Sequence, residues 1–181
     1  MQQQILREWI ASDPLRMRAL RIARELALPD WCIAAGFVRN LAWDRLHRFE
    51  IPTPLTDIDL IYFDPERTSK EHEREIEARL AAIDRDLPWS VRNQARMHTR
   101  NGDEPYKSTM DAMTYWVELE TAIGARLDAG GRIEIISPFG LDSLFAKKVT
   151  LNRKHYKPAE FSRRLTKKNW LWIWPELKVD V

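Results

Sequence analysis

The chain has 181 residues, of which 44% are hydrophobic and 31% are charged, a composition typical of a folded globular domain with its own core. Its single cysteine, Cys32, excludes an internal disulfide framework and a cysteine-based zinc site. The N-terminal segment lacks the apolar core of a signal peptide and no long uncharged apolar window occurs, so we expect a cytoplasmic protein without a membrane span.

Charge is distributed unevenly along the chain. Residues 1–140 carry 19 Lys and Arg against 23 Asp and Glu, whereas residues 141–181 carry 10 against 4. We therefore expect a core of residues 1–140 and a basic helical extension of residues 141–181 that packs on it within one domain. Such a basic segment is typical of proteins that bind a phosphorylated ligand or nucleic acid, and also of a solvated lysine-rich helix face.

The first part of the chain alternates helices with strands. Apolar spacing predicts helices over residues 2–11 and 14–28, the second with Pro14 in its first turn. A brief apolar strand over residues 31–35 leads to Gly36, which opens a third helix. After a proline-containing loop, residues 57–63 form a second strand.

The second part of the chain is also predicted to contain both helices and strands. We predict a charged helix over residues 69–87, an alternating strand over residues 89–98, and a short helix over residues 108–116. A hairpin over residues 121–137 turns at 129–131, and two helices follow near the C-terminus. This order predicts an α+β (mixed α/β) fold with a mixed sheet flanked by helices.

Two carboxylates stand one residue apart in TPLTDIDLIYFD, residues 53–64. Because side chains alternate along a strand, Asp57 and Asp59 project to one side while Ile58 and Leu60 enter the core. Paired carboxylates repel each other unless a divalent cation binds between them, and magnesium is commonly held by one or two carboxylates together with substrate phosphates. The alternative is that one aspartate caps a turn and the other is a solvated charge.

The residues before this pair extend the pattern. In AAGFVRNLAWDRL, residues 34–46, a glycine lies between a strand and a helix, where backbone N–H groups can face a phosphate. The arrangement of strand, glycine turn, helix and DIDL resembles the DNA polymerase beta-like nucleotidyltransferase superfamily. AGFVRN is similar to the G-G-x-V-R-D signature of tRNA nucleotidyltransferases and poly(A) polymerases. With VRNQARMH and SPFGLDSLF, the chain looks most like a bacterial family of nucleotidyltransferases over nearly its whole length.

The resemblance implies a role for each matching residue. Asp57 and Asp59 would be the catalytic, metal-binding carboxylates, with Mg²⁺ or Mn²⁺ as cofactor. Gly36 would let the terminal phosphates of a nucleoside triphosphate approach the backbone, and Arg39 would place the triphosphate or sugar. The remaining candidate nucleotide contacts are Phe37, Asn40, Asn93 and Lys147. Ala35 replaces the first glycine of the signature and Asn40 its aspartate, so the detail of nucleotide contact differs here.

A third carboxylate usually completes this type of site. The strand after the long helix offers the uncharged Asn93, and Glu134, between Ile133 and Ile135, is the better chemical candidate as a ligand or general base. Glu134 could equally face solvent, because sequence alone does not fix strand register.

The resemblance implies Mg²⁺-dependent transfer of a nucleoside monophosphate from a triphosphate to a hydroxyl of an RNA or a small molecule. Three alternatives stay open: a sugar-nucleotide glycosyltransferase, a catalytically degenerate nucleotide-binding protein, and an RNA-binding module built on the basic C-terminal part. The glycosyltransferase would need a nucleotide-binding unit ahead of the D-x-D pair, and 56 residues is short for one.

Overall fold

The computed structural model describes residues 1–181 as nine helices and seven strands around a five-stranded sheet. The helices are α1 (Gln2–Ala11), α2 (Pro14–Glu25), α3 (Gly36–Leu46), α4 (Lys70–Ile83), α5 (Gln94–Asn101), α6 (Thr109–Met113), α7 (Asp142–Phe145), α8 (Pro158–Lys168) and α9 (Trp170–Ile173). The strands are β1 (Cys32–Ala34), β2 (Ile58–Tyr62), β3 (Trp89–Asn93), β4 (Gly124–Leu127), β5 (Ile133–Ile136), β6 (Lys148–Thr150) and β7 (Lys178–Asp180).

The main sheet has the strand order β3-β2-β1-β4-β5. Strand β1 runs antiparallel to both β2 and β4, β2 is parallel to β3, and β4 and β5 form an antiparallel hairpin. The predicted α+β fold with a mixed sheet is therefore confirmed. Strands β6 and β7 pair in parallel as a separate small sheet.

The two faces of the sheet are covered differently. One face carries Ile33, Leu60 and Val91 into the main core, which is built with the long helices. The other face carries a smaller apolar cluster of Cys32, Ala34, Ile61, Met113, Ala122 and Ile136. Because β2 alternates, Ile58 and Leu60 are fully buried in the main core, while Asp57, Asp59 and Ile61 belong to the second face.

Two of the longer helices, α2 and α4, begin at a residue whose side chain caps them. Asp13 accepts a hydrogen bond from the N–H of Arg16 at the start of α2, and Ser69 accepts one from His72 at the start of α4. No helix is both long enough and apolar enough to cross a membrane.

One predicted strand is wrong over half its length. Residues 89–93 form β3, but residues 94–101 form α5. The Asn93 side chain accepts a hydrogen bond from the N–H of Ala95 and so caps α5, which ends at the left-handed Gly102. The alternation of apolar and polar residues in VRNQARMH favours a strand, so the N-cap at Asn93 and the helix end at Gly102 were not predicted.

The C-terminal part contains two short strands in addition to the two predicted helices. Helices α8 and α9 are present, but Lys147 lies in a left-handed turn after α7, and Lys148 begins β6. The strands β6 and β7 have three residues each. Such short strands leave no readable periodicity in the sequence.

Candidate active site

A cavity of about 840 Å³ opens on the second face of the sheet. Its floor is formed by the ends of β1 and β2, with Gly36, Asp57 and Asp59 among the lining residues. The segment after α6 and the helices α5, α8 and α9 supply the walls, so the basic C-terminal part closes the cavity over the sheet. The volume is typical of a site for a small molecule or cofactor.

Gly36 lies at the first position of α3, whose N-terminus is uncapped. No side chain caps this terminus and no acidic residue lies in its first turn. The first N–H groups of a helix need acceptors from outside the helix, and together with the helix dipole they favour an anion. A Cβ added at Gly36 would meet only the side chains of Arg39 and Asn40, at 3.5 Å, so the glycine leaves open a space rather than avoiding a clash.

Ala35 adopts an unusual backbone conformation immediately before this helix. Its φ of 57° and ψ of −126° lie in a region that normally requires glycine. The signature similar to AGFVRN has at this position a glycine, the residue that this backbone conformation favours. The strained turn directs the chain from β1 into α3, and the Ala35 N–H donates to the carbonyl of Ile123 beside β4.

We expect Ala35→Gly to stabilise the protein. Relief of about 1–3 kcal/mol of backbone strain exceeds the entropy cost of about 0.5–1 kcal/mol for a glycine, so the free energy of unfolding should rise by about 1 kcal/mol. Urea unfolding measures this change. Ala81→Gly, in the exposed face of α4, is the matched control and should lose about 1 kcal/mol. A loss at Ala35 similar to the loss at Ala81 would contradict the strain.

Asp57 and Asp59 face the same cavity and form no ion pair. Asp59 lies in β2 between Ala34 of β1 and Ser90 of β3. Burial, followed by repulsion from Asp57, raises the pKa of Asp59 above its ordinary value, while a hydrogen bond with Ser90 and the charges of Lys168 and Arg39 oppose that rise. The two carboxylates therefore repel each other in the cavity that both of them line.

Arg39 also lines this cavity and is 6% exposed. Its guanidinium stacks over the rings of Trp43 and Trp170, with its central carbon 5.1 and 4.5 Å from the ring centroids, and donates to Thr121 Oγ1 at 2.8 Å. Its Nε is buried without a hydrogen-bond partner. Burial lowers the pKa of Arg39 to about 10, so it stays a cation at neutral pH. The side chain is thus a fixed buried cation with an unused donor.

Of two further candidate contacts, Asn40 lies in the site and the Phe37 side chain lies in the core. Asn40 lines the cavity, and its Oδ1 accepts a hydrogen bond of 3.0 Å from Arg39. The Phe37 side chain is fully buried in the main core, and its carbonyl accepts a hydrogen bond from Arg16 Nε at 2.6 Å. Only the backbone N–H of Phe37 is left as a candidate contact with a nucleotide.

Asn93 does not reach the cavity, which corrects its assignment as a nucleotide contact. It is fully buried, its Oδ1 accepts from the N–H groups of Asp64 and Ala95, and its Nδ2 donates to the carbonyls of Asp64 and Arg67. The side-chain oxygen and nitrogen of Asn93 therefore both form hydrogen bonds with the backbone around the end of β3. The register places Ser90, not Asn93, beside Asp59.

Glu134 is also too far away to complete the carboxylate pair. Strand alternation puts it on the same face of the sheet as Asp59, but β1 and β4 lie between β5 and β2, a lateral separation of about 14 Å. Its side chain instead pairs with Arg126 at 2.7 Å. The structure contains no cluster of three or more His, Cys, Asp and Glu side chains placed to hold a metal.

Lys147 likewise lies outside the cavity, which corrects its assignment as a candidate nucleotide contact. Its ammonium pairs with Glu176 at the start of the C-terminal strand segment. The cations that do line the cavity from the C-terminal part are Lys157, Arg164, Lys167 and Lys168.

Asp44 is a supporting residue that sequence reasoning missed. It is 4% exposed, and its carboxylate accepts hydrogen bonds from the N–H and hydroxyl of Thr53 at 2.8 and 2.6 Å and from Trp174 Nε1 at 2.8 Å. It therefore joins α3, the loop that leads to Asp57, and the C-terminal part. Its position in DRLHR, near the end of α3 and beside two arginines, gave no sign of burial.

Three solved structures are similar to this chain. One is described as a protein whose NMR structure reveals a CCA-adding enzyme head domain; it is 33% identical, with a TM-score of 0.86 over 98% of this chain and 95% of that chain. A CCA-adding enzyme in complex with CTP is 14% identical, with a TM-score of 0.61 over 99% of this chain and 43% of that one. A tRNA-processing enzyme in an apo form is 16% identical, with a TM-score of 0.56 over 98% of this chain and 43% of that one.

These likenesses define the fold class as that of a nucleotidyltransferase head domain. The chain spans less than half the length of the CCA-adding enzyme and of the tRNA-processing enzyme. No curated protein matches the sequence significantly. The model of a family described as nucleotidyltransferase matches residues 21–179, and the chain belongs to this nucleotidyltransferase family.

Proposed function

We propose that the protein is a Mg²⁺-dependent nucleotidyltransferase that transfers a nucleoside monophosphate from a nucleoside triphosphate to a hydroxyl acceptor. The observation that carries the proposal is that Asp57 and Asp59 share one cavity with the uncapped N-terminus of α3 at Gly36. Family membership supports nucleotidyl transfer in general. The CTP complex of a protein with the same fold supports a nucleoside triphosphate as the donor.

The carboxylate pair fits a magnesium ion. Magnesium is commonly held by one or two carboxylates, with waters and substrate phosphates as its other ligands, so two unpaired acids beside a phosphate site suffice. Asp57 and Asp59 would hold the ion, which when bound would neutralise phosphate charge and polarise the α-phosphate. Mn²⁺, with the same preference for oxygen ligands, would serve as well.

The chain's own residues would position the triphosphate. The N–H groups at the start of α3 would bind phosphate oxygens, and the Arg39 guanidinium, held by Trp43 and Trp170, would bind the triphosphate or sugar. Positioning and charge neutralisation of this kind supply most of the catalysis in phosphoryl transfer.

The transfer itself is an in-line displacement. The acceptor oxygen bonds to the α-phosphorus while the bond from that phosphorus to the oxygen bridging the β-phosphate breaks. The electron pair of the broken bond leaves with pyrophosphate, and the proton of the acceptor hydroxyl passes to water. The similarity to a tRNA-processing enzyme supports an RNA end as acceptor, with a small-molecule hydroxyl as the other candidate.

The experiment that tests this proposal is incubation with each of the four α-labelled nucleoside triphosphates and Mg²⁺. Separate reactions contain total RNA or the small-molecule fraction of a cell extract as acceptor. Label should enter one fraction with release of pyrophosphate, and omission of Mg²⁺ should abolish the transfer. Mg²⁺-independent labelling, or no labelling of either fraction, would contradict the proposal.

Nucleotide binding without turnover is the second candidate. It is favoured because neither candidate for the third metal ligand reaches the carboxylate pair: Glu134 lies about 14 Å away across the sheet and Asn93 is buried. Tight binding of Mg²⁺ and a triphosphate with no release of pyrophosphate in any acceptor fraction would select this candidate.

We expect Gly36→Ala to weaken triphosphate binding without unfolding the protein. The added methyl group meets protein atoms only at 3.5 Å, and alanine is the better helix former, so stability should stay equal or rise by up to about 1 kcal/mol. The methyl would nevertheless stand between the backbone and the phosphate, and a displacement of this size should weaken binding about 10- to 100-fold.

Calorimetric titration with Mg²⁺ and the preferred triphosphate measures this loss. Gly130→Ala, in the β4–β5 turn outside the cavity, is the control and should bind like the wild type. Unchanged affinity in Gly36→Ala would show that the phosphates do not approach this part of the backbone.

A further inference from the structure

Helix α8 presents a row of cations to the cavity. Arg164, Lys167 and Lys168 are spaced by three and four residues, so they lie on one side of the helix, and all three line the cavity that contains the carboxylate pair. The row comes from the basic C-terminal part of the chain, which the sequence suggested as a binding segment without indicating its ligand.

The three cations differ in how they are neutralised. Arg164 forms a two-point ion pair with the buried Glu118, at 2.6 and 3.1 Å, and is thereby fixed in the cavity wall. Lys167 and Lys168 form no ion pair within 4.0 Å, although both are close to acidic residues along the cavity. The row therefore offers two uncompensated ammonium groups.

The backbone of Lys168 lies beside an anchored part of the cavity wall. Lys168 is the last residue of α8; Asn169 then turns in the left-handed conformation, and Trp170 is buried against Arg39 and Trp43. The backbone at Lys168 is thus two residues from an anchored ring. Lys168 and Asp59 line the same cavity, and no salt bridge joins the two side chains.

We propose that Lys168, assisted by Lys167, binds the β- and γ-phosphates of the triphosphate and so neutralises the pyrophosphate as it leaves. This inference rests on the proposed function, and it places on α8 a nucleotide contact of the kind that the sequence suggested for Lys147. In this arrangement the acids would bind the triphosphate through the metal, and the ammonium groups of α8 would bind its terminal phosphates from the same cavity. Two like-charged carboxylates and a polyanionic substrate need such additional cations for charge balance.

Binding measurements with ligands of different phosphate content test this assignment. The wild type, Lys168→Ala, Lys168→Arg and Lys167→Ala/Lys168→Ala are titrated, in Mg²⁺, with inorganic pyrophosphate, the preferred triphosphate and the matching monophosphate. Lys154→Ala is the matched control, because Lys154 is exposed in the same basic part of the chain and lies outside the cavity.

Lys168→Ala should weaken binding of pyrophosphate and triphosphate by about 10- to 100-fold, the usual effect of losing a charge-assisted hydrogen bond. Binding of the monophosphate should change less than about twofold, Lys168→Arg should recover most of the affinity, and the double variant should lose more than the single one.

Two other outcomes separate this inference from the proposed function. Equal losses for the monophosphate and the triphosphate, or no loss in the double variant, would overturn the assignment of Lys168 while leaving a nucleotide-binding protein. A wild type that binds neither the triphosphate nor pyrophosphate would overturn both proposals.

Discussion

Replacing Asp59 by asparagine is expected to lower nucleotidyl transfer by at least about 10³-fold while leaving the fold intact. The substitution removes one of two carboxylates that would hold the metal, so charge on the phosphates is no longer neutralised in the transition state. Label transfer from the preferred triphosphate, under conditions where the wild type is active, measures the loss. Asp57→Asn should behave in the same way.

The same substitution, Asp59→Asn, should leave the stability of the protein unchanged or raise it. Asp59 is held near Asp57 in a half-buried position where burial and repulsion raise its pKa, so the neutral amide is easier to accommodate. We expect the melting temperature of Asp59→Asn to be unchanged or to rise by up to about 2–4 °C without metal. Asp86→Asn, at an exposed loop position, serves as a control for activity and stability. Full activity in Asp59→Asn would remove this pair from the mechanism.

Replacing Asp44 by alanine is expected to produce the largest loss of stability. The Thr53 N–H and hydroxyl and the Trp174 indole N–H would all lose their buried acceptor. Each buried donor left unsatisfied costs about 1–3 kcal/mol, and partial relaxation of the Thr53 loop reduces the total, so we expect a loss of about 3 kcal/mol. Urea unfolding monitored by tryptophan fluorescence measures the change.

The consequences of this substitution should extend to the site. Asp44 holds the loop that precedes Asp57 against the C-terminal part, so Asp44→Ala should also weaken binding of Mg²⁺ and the triphosphate. Asp86→Ala is the control and should stay within about 0.5 kcal/mol of the wild type. A similar small effect at Asp44 would show that its hydrogen bonds contribute little.

The sequence predicts the part of the site that is built from neighbouring residues. Gly36 at the start of a helix and the alternation of Asp57 and Asp59 in β2 are local patterns, and the structure places all three residues in one cavity. Ala35 was also identified from the sequence, because the resemblance places a glycine at this position. In the structure Ala35 has a φ of 57°, a backbone conformation that glycine favours.

Residues that depend on strand order and long-range packing were not predictable in this way. Glu134 has the right chemistry and the right face of the sheet, but the order β2-β1-β4-β5 separates it from the pair. Lys147 and Lys168 have similar local composition, and only the turn after α7 and the buried Trp170 decide which of them reaches the cavity. Nothing local indicated that Asp44 would be buried, because its partners lie 9 and 130 residues away.

The central claim is that the carboxylate pair and the N-terminus of α3 bind one magnesium–triphosphate complex. Calorimetric titration with a non-hydrolysable triphosphate tests it most directly, with and without Mg²⁺, in the wild type and in Asp57→Asn/Asp59→Asn. We predict binding that requires Mg²⁺ in the wild type and is at least about 100-fold weaker in the double variant. Equal binding by both proteins, or binding that does not depend on the metal, would contradict the claim.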